Sequence, residues 1–220
     1  MIKNIIIVGG KGSIGLELTD IIRKRNLNPI MFSALEICKV PEKKLPVYIE
    51  QKLKTEGILD DLKNKKLGLV LAHRVREENI VSAISCELAI TRNFSLCLKN
   101  FCKELRVVII SSITGQFVNL HNNESYHYCK DLQKSINRYF ASEKKIKSNI
   151  LELSFFQKYK QENADKKYIK QMQLGQKRIE GRKVINSTDI GNFCLTLIEA
   201  SSPPVSSLIT YDNGYSLRQI

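Results

Sequence analysis

Tyr126 and Lys130 stand four residues apart in the run Tyr126-His127-Tyr128-Cys129-Lys130. On a helix that spacing puts both side chains on one face. A phenol ordinarily ionises near pH ~10 and is a poor proton donor or acceptor at neutrality. An ammonium group beside it favours the phenolate and lowers that value. Ser112 lies fourteen residues before the tyrosine, behind the β-branched run Val107-Val108-Ile109-Ile110, and can hydrogen-bond the same substrate oxygen. Such a trio can polarise a carbonyl, give its oxygen a proton and leave its carbon open to hydride. A Tyr-x-x-x-Lys pair also arises by chance on solvated helices; the serine behind a buried strand gives this one its meaning.

The second constellation is at the amino terminus. Ile5-Ile6-Ile7-Val8 reads as a strand buried on both faces. The turn Gly9-Gly10-Lys11-Gly12-Ser13-Ile14-Gly15 follows at once, and Ile14, Leu18, Ile21 and Ile22 then recur at helical spacing. Strand, glycine turn and helix is the context a dinucleotide-binding fingerprint requires. Gly10 permits the tight turn, Gly12 lets backbone approach a pyrophosphate, and Gly15 lets helix and strand pack closely. The helix start offers free N–H groups to phosphate.

The elements that must position these groups alternate along the chain. Strands are expected at 30–32, 46–49, 67–71, 107–110, 150–153 and 207–210, with helices at about 55–64, 77–104, 126–145 and 187–199. Alternation of this kind indicates an α/β fold, a doubly wound parallel sheet covered on both faces. Ligands in such sheets bind beyond the carboxyl ends of the strands. The turn at Gly9, the segment Ala72-His73-Arg74 and the pair Ser111-Ser112 all follow strands, so they are expected to meet at one crevice.

Cofactor choice is read where the second strand ends. A site selective for NAD puts an acidic residue there, about 20 residues past the glycines, on the ribose 2′-hydroxyl. Ser33 stands at that place, and Lys11 in the turn can pair with a 2′-phosphate, which favours NADP(H) over NAD(H). The alternative keeps Lys11 as a solvated loop lysine and lets Glu36 supply the acid. Glu50, at the end of the expected 46–49 strand, joins Ser33, Ala72 and His73 as a candidate cofactor contact.

Composition sets the outer limits. The 220 residues suffice for one α/β core and are too few for two ordinary domains. Hydrophobic residues make up 43%, which argues against general disorder. No signal-peptide pattern and no apolar run of ~18 residues is apparent, so no membrane partner is expected. The six cysteines include no Cys-x-x-Cys pair and read as reduced thiols of a cytoplasmic protein. The three histidines form no ligand spacing with them, so no metal is expected. The net charge of +13 permits nucleic-acid binding, but no zinc-finger spacing, aromatic RNA-binding motif or compact basic block accompanies it, and no nucleic-acid partner is expected.

Taken in order, these pieces resemble the short-chain dehydrogenase/reductases of the single-domain kind. The resemblance runs through the glycine turn (Gly9, Gly12, Ser13, Ile14, Gly15), Ala72, Ser111-Ser112, Tyr126 and Lys130. It continues to Asp189-Ile190-Gly191 and to Tyr211-Asp212-Asn213-Gly214-Tyr215-Ser216, similar to the family's Val-Asp-Gly-Gly ending. It implies a Rossmann-like fold over 1–220 and a homodimer or homotetramer. It also implies Tyr126 as general acid and base, Lys130 on the nicotinamide ribose, and Ser112 orienting a small carbonyl or alcohol substrate.

The chain departs from that pattern at several positions. The family's active-site asparagine precedes the serine by the interval that here separates Glu87 from Ser112. Glu87 is thus a candidate catalytic residue, able to bind the asparagine's water or to act on Lys130. If it merely fills the asparagine's place, Glu87→Asn should raise activity or leave it unchanged. The family's Asn-Ala-Gly is Ala72-His73-Arg74, its Pro-Gly after the sixth strand is Phe155-Phe156, and its middle turn glycine is Ser13. The segment 156–185, expected to cover the substrate, carries nine positive and three negative charges between Lys158 and Lys183, a surplus of six that suits an anionic substrate. Two other functions fit the same residues: a nucleotide-binding regulatory protein with lost or weak catalysis, and a sugar-nucleotide-modifying enzyme of the same family.

Overall fold

The computed structural model describes residues 2–75, 77–112, 124–153, 156–157, 185–202, 207–211 and 218–219. Strand β1 (Asn4–Val8) leads through the glycine turn into helix α1 (Ser13–Lys24), and β2 (Asn28–Phe32) follows. Helices α2 (Ala34–Lys39), α3 (Leu45–Thr55) and α4 (Leu59–Leu62) come before β3 (Lys66–Leu71). A helical rod then joins α5 (Ile80–Glu87), a π-helical stretch (Leu88–Asn93) and α6 (Phe94–Leu98). The remaining elements are β4 (Glu104–Ser112), α7 (Glu124–Phe140), β5 (Ile146–Leu153), β6 (Phe156–Gln157), β7 (Ile185–Asn186), α8 (Ser187–Glu199), β8 (Ser207–Tyr211) and β9 (Arg218–Gln219).

The main sheet has the order β2-β1-β3-β4-β5-β8-β9. Its first six strands are parallel and β9 is antiparallel to β8. The chain runs outward from β1 to β2 and then crosses back to β3 on the other side of β1. That reversal makes the carboxyl ends of β1 and β3 the crevice of the sheet. A separate parallel pair, β6 with β7, joins Phe156 to Ile185.

The period of two along each strand divides the core into two layers. Ile6, Val8, Leu69, Leu71, Val107 and Ile109 face the layer shared with α3, α6 and α7. Ile5, Ile7, Val70, Val108 and Ile110 face the layer shared with α1 and α8. Buried Arg106 joins α8 to β4: its Nη1 donates to the carbonyl of Ile198 at 2.7 Å and to that of Ala200, where the helix leaves carbonyls without partners.

Residues 46–49, expected as a strand, lie in α3. Leu45, Ile49 and Leu53 are buried at four-residue spacing, and Pro46 occupies the first turn, where no backbone N–H is missed. Val47, whose alternation with Ile49 suggested a strand, is 54% exposed. β2 is therefore the edge strand, a position that tolerates Pro29. The helix expected at 55–64 divides at Gly57, which has φ of 68° and separates α3 from α4. The rod over Ile80–Phe101 is long and apolar enough by length and composition to cross a membrane, although Glu87 and Arg92 interrupt its apolar residues. In the fold it buries Ala83, Glu87, Ile90, Thr91, Phe94 and Leu98.

Gly9 leaves β1 with φ of 88°, and a Cβ there would lie 2.8 Å from Ala72 C, Ala72 O and His73 Cα. Both the backbone conformation and the close approach of β3 require glycine. Gly9→Ala is expected to destabilise the fold by about 2 kcal/mol or more. Thermal unfolding should register this as a fall of several degrees in Tm.

Candidate active site

The sheet register fixes which residues meet at its carboxyl edge. Val8 pairs with Phe32 on one side and Leu71 on the other, so Gly9, Ser33 and Ala72 emerge side by side. The N–H of Ala72 donates to the Val8 carbonyl at 2.9 Å. β4 runs three residues past the end of its pairing with β3, which carries Ser112 above the edge beside Leu153 of β5.

A cavity of about 560 Å³ opens beside the glycine turn. Gly9, Lys11, Gly12, Ser33, Ala72 and His73 line it, and all six were expected from the sequence. Gly12 is the N-cap of α1 and offers no side chain to the first turn, which also lacks an acidic residue. The backbone N–H groups there remain available to an anion. A Cβ on Gly12 would sit 3.3 Å from the Gly9 carbonyl oxygen, so the bare backbone is what keeps this wall thin. These features fit the phosphates of a dinucleotide.

Ser33 does a second job. Its Oγ accepts from the Glu36 N–H at 3.3 Å and caps α2. Glu36 also lines the cavity, and the Tyr48 hydroxyl donates to its Oε2 at 2.9 Å. Burial, together with that carboxylate, pushes the Tyr48 phenol well above its ordinary range and keeps it a donor. Glu50, expected as a cofactor contact, lies within α3, where it pairs with Lys54 at 2.9 Å, and it does not line the cavity.

Tyr126 and Lys130 are seated by α7. The Ser125 hydroxyl donates to the Glu78 carbonyl at 2.8 Å, and Cys129 Sγ reaches the Ala83 carbonyl at 3.5 Å, so the first turns of α7 are fastened to α5 and the segment before it. Lys130 is 5% exposed. Its Nζ lies 5.4 Å from the Tyr126 ring centre, 3.4 Å from the Ile110 carbonyl and 3.2 Å from Gln133 Oε1. The Arg74 guanidinium also lies over the ring, 5.0 Å from its centre. Two cations thus lie within reach of the face of the phenol ring.

Glu87 is the most deeply placed acidic group of the site, with 1% of its side chain exposed. His73 Nε2 lies 3.1 and 3.2 Å from its two oxygens. Gln133 Nε2 donates to Oε1 at 2.9 Å, and the Thr91 hydroxyl donates to the same oxygen. Because a carboxylate only accepts, Nε2 is the His73 nitrogen that donates to it. Among the described residues the buried Nδ1 has no hydrogen-bond partner. Burial would raise the Glu87 carboxyl, but His73, Lys130 and the Thr91 hydrogen bond outweigh it and bring it down to about 2. Glu87 therefore has a structural task that asparagine would not fill, and the expectation for Glu87→Asn is reversed to a loss.

The sequence-derived residues thus divide by place. Lys130 lies beside Tyr126 and is joined to Glu87 through Gln133, while Ser112 ends β4 two residues past the Ile110 carbonyl that Lys130 contacts. Ser13, Ile14 and Gly15 open α1, with Ile14 and Gly15 buried against the sheet. Residues 113–123, 158–184 and 212–217 lie outside the described residues, which takes in most of the expected cover and carboxyl-terminal motif. Gln133 and Thr91 were missed. Their signal was positional: Gln133 follows Lys130 by three and Thr91 follows Glu87 by four, both neighbours on a helix surface.

No family model and no curated protein matches the sequence. Solved structures do match the fold. A short-chain dehydrogenase/reductase, described as a glucose/ribitol dehydrogenase, from Brucella melitensis aligns with a TM-score of 0.70 at 13% identity, over 98% of this chain and 97% of that one. A small-chain dehydrogenase in complex with NADPH gives 0.69 at 15% identity, over 97% and 98%. The 3-alpha-hydroxysteroid dehydrogenase of Pseudomonas sp. B-0831, complexed with NADH, gives 0.66 at 13% identity over 96% of each chain. The fold is the one the sequence resemblance implied, that of the short-chain dehydrogenase/reductases.

The depressed Glu87 carboxyl has a consequence for stability. Its contribution is present in full above the ordinary value of 4.5 and is lost as pH falls through the folded value of about 2. The stability difference between the wild type and Glu87→Gln should therefore narrow as pH is lowered from about 5 to about 2. Urea unfolding across that range measures it, and a difference that stays constant would contradict the paired, ionised carboxylate.

Proposed function

We propose that this chain is a nicotinamide-dependent oxidoreductase that interconverts a carbonyl compound and its alcohol. One observation carries the reading. Lys130 is held beside the Tyr126 ring and against the strand that ends in Ser112, at the same sheet edge as the glycine-turn cavity.

The residues divide the chemistry as follows. The α1 amino terminus with Gly12 holds the cofactor phosphates, and Lys130 holds a ribose hydroxyl. Among the described residues, two of the three Lys130 N–H groups are used within the protein, which leaves one for that contact. When bound, the cofactor supplies or accepts the hydride. In the reducing direction the Tyr126 hydroxyl gives its proton to the carbonyl oxygen as that oxygen becomes a hydroxyl. The phenolate left behind is stabilised by Lys130 and Arg74, and in the oxidising direction it takes the alcohol proton back. Ser112 hydrogen-bonds the substrate oxygen and sets its distance from Tyr126.

NADP(H) is the favoured cofactor. Lys11, Ser33 and Glu36 all line the cavity, and Glu36, the acid that would favour NAD(H), has one carboxylate oxygen taken by the Tyr48 hydroxyl. Arg74 beside Tyr126 adds positive charge to the site, which suits an anionic substrate. Residues 1–220 act as one domain in this reading.

Tyr126→Phe keeps the ring and removes the proton. With an active carbonyl substrate, kcat should fall by about 10²–10⁴-fold, while the Kd for NADPH changes by less than about threefold. Retained turnover would refute the assignment. In parallel binding titrations, Lys11→Ala should weaken NADPH by about fivefold and leave NADH unaffected. Equal effects on the two cofactors would remove Lys11 from the 2′-phosphate.

A further inference from the structure

A chain of buried polar groups runs from the end of β3 into the heart of α7: His73, Glu87, Gln133, Lys130. Its directions are fixed by chemistry. A carboxylate only accepts hydrogen bonds and an ammonium only donates them. Gln133 lies between the two, with Nε2 at 2.9 Å from Glu87 Oε1 and Oε1 at 3.2 Å from Lys130 Nζ. Its amide has one workable orientation, carbonyl toward the lysine. An amide in that position transmits geometry and charge but no proton, because near neutrality its N–H is not an acid and its oxygen is not a base. The link from Glu87 to Lys130 is therefore an oriented clamp and not a proton wire.

The far end of the clamp is fixed as well. Glu87 Oε1 accepts from Gln133 and from Thr91, and His73 Nε2 lies within 3.2 Å of both carboxylate oxygens. These partners come from three places: the segment after β3, the π-helical stretch and α7. Gln133 is fully buried. Removing Glu87 would free its amide to turn, and Lys130 would then face either end of the amide dipole. Removing the Gln133 oxygen would leave a nearly buried ammonium short of an acceptor.

We propose that His73, Glu87 and Gln133 are positioning residues for Lys130, a buried countercharge and an oriented amide that hold its ammonium beside Tyr126. The geometry of the clamp stands by itself; its catalytic consequence rests on the oxidoreductase reading. In this chain the lysine is set by protein groups, where Glu87 stands in place of the family's asparagine.

Competitive acetylation of the cofactor-free protein with acetic anhydride tests the clamp, with each lysine read by mass spectrometry. Neutral, mobile amines react; a buried, paired ammonium does not. Glu87→Gln keeps the shape and removes the charge, and Gln133→Met keeps the length and removes the acceptor. In each, acetylation of Lys130 should rise by about tenfold, the scale of one lost charge-assisted hydrogen bond. His73→Phe should move it in the same direction. Lys134 lies one turn further along α7 and pairs with Glu152 at 3.0 Å, so it reports on loosening of the helix and should not change. Should Glu87→Gln fail to fold, as judged by Tm, Gln133→Met and Thr91→Val carry the test, the latter with a smaller rise.

Unchanged Lys130 labelling in the folded variants overturns the proposal. So does a rise shared equally with Lys134, which marks general loosening. A second arm measures turnover: kcat should fall by about tenfold and KM for the cofactor should rise by a few fold, because the same lysine serves Tyr126 and the ribose. If Lys130 labelling responds but the wild type reduces no carbonyl compound, the clamp stands and the oxidoreductase reading fails. If the wild type turns over and labelling and kcat are both unmoved, the clamp fails and the reading survives.

Discussion

A carboxylate with 1% of its side chain exposed persists in a fold only when its surroundings restore the charge and hydrogen bonds that water gave it. Glu87 imposes that requirement on this protein. It draws an imidazole from the end of β3, a hydroxyl from the π-helical stretch and an amide from α7 to one point. Moving any of these elements would strand a buried charge, a change of several kcal/mol by the usual scale of broken buried pairs. α7 is therefore located relative to β3 by a polar contact as well as by packing. Tyr126 and Lys130 ride on α7, so their place follows from the same contact.

The sheet supplies the other half of the site. Its strands are buried on both faces, so their register is strongly specified, and the register delivers Gly9, Ser33 and Ala72 to one edge. The chain reverses direction across the sheet at β1, which places a crevice at the strand ends there. The glycine turn forms the near wall of that crevice, with Gly9, Gly10 and Gly12 adding no side chains to it and Lys11 adding one. Glu87 and the turn meet through His73, whose ring contacts the carboxylate while its Cα lies against Gly9. A change at either place is thus felt at the other, through one residue.

Much of this was legible in the sequence, for physical reasons. Ile5-Ile6-Ile7-Val8 fits no helix face and needs two apolar layers, and both layers are present. Tyr126 and Lys130 were readable because a four-residue helical interval is a local property. Where the reading failed, local pattern was ambiguous or the contact was distant. Val47 and Ile49 alternate as a strand does, but Leu45, Ile49 and Leu53 satisfy the helical period equally, and the helix carried Glu50 away from the cavity. Glu87 was noticed for its interval from Ser112, yet its partners His73 and Gln133 are fourteen and forty-six residues away. The packing of α5 on α7 brings Gln133 to Glu87, the return of the chain from β3 into α5 brings His73, and no periodicity announces either.

The central claim is that this edge of the sheet transfers hydride between a nicotinamide and a carbonyl carbon, with Tyr126 serving the oxygen. The most direct measurement follows the hydrogen itself. NADPH carrying deuterium at C4 of the nicotinamide, in each of its two stereochemical forms, is incubated with the protein and a panel of carbonyl compounds, and the alcohol products are analysed by mass spectrometry. The account predicts that an alcohol forms with deuterium on its carbinol carbon from one form of the cofactor and not from the other. Tight binding of NADPH with no deuterium delivered to any carbonyl compound would contradict it.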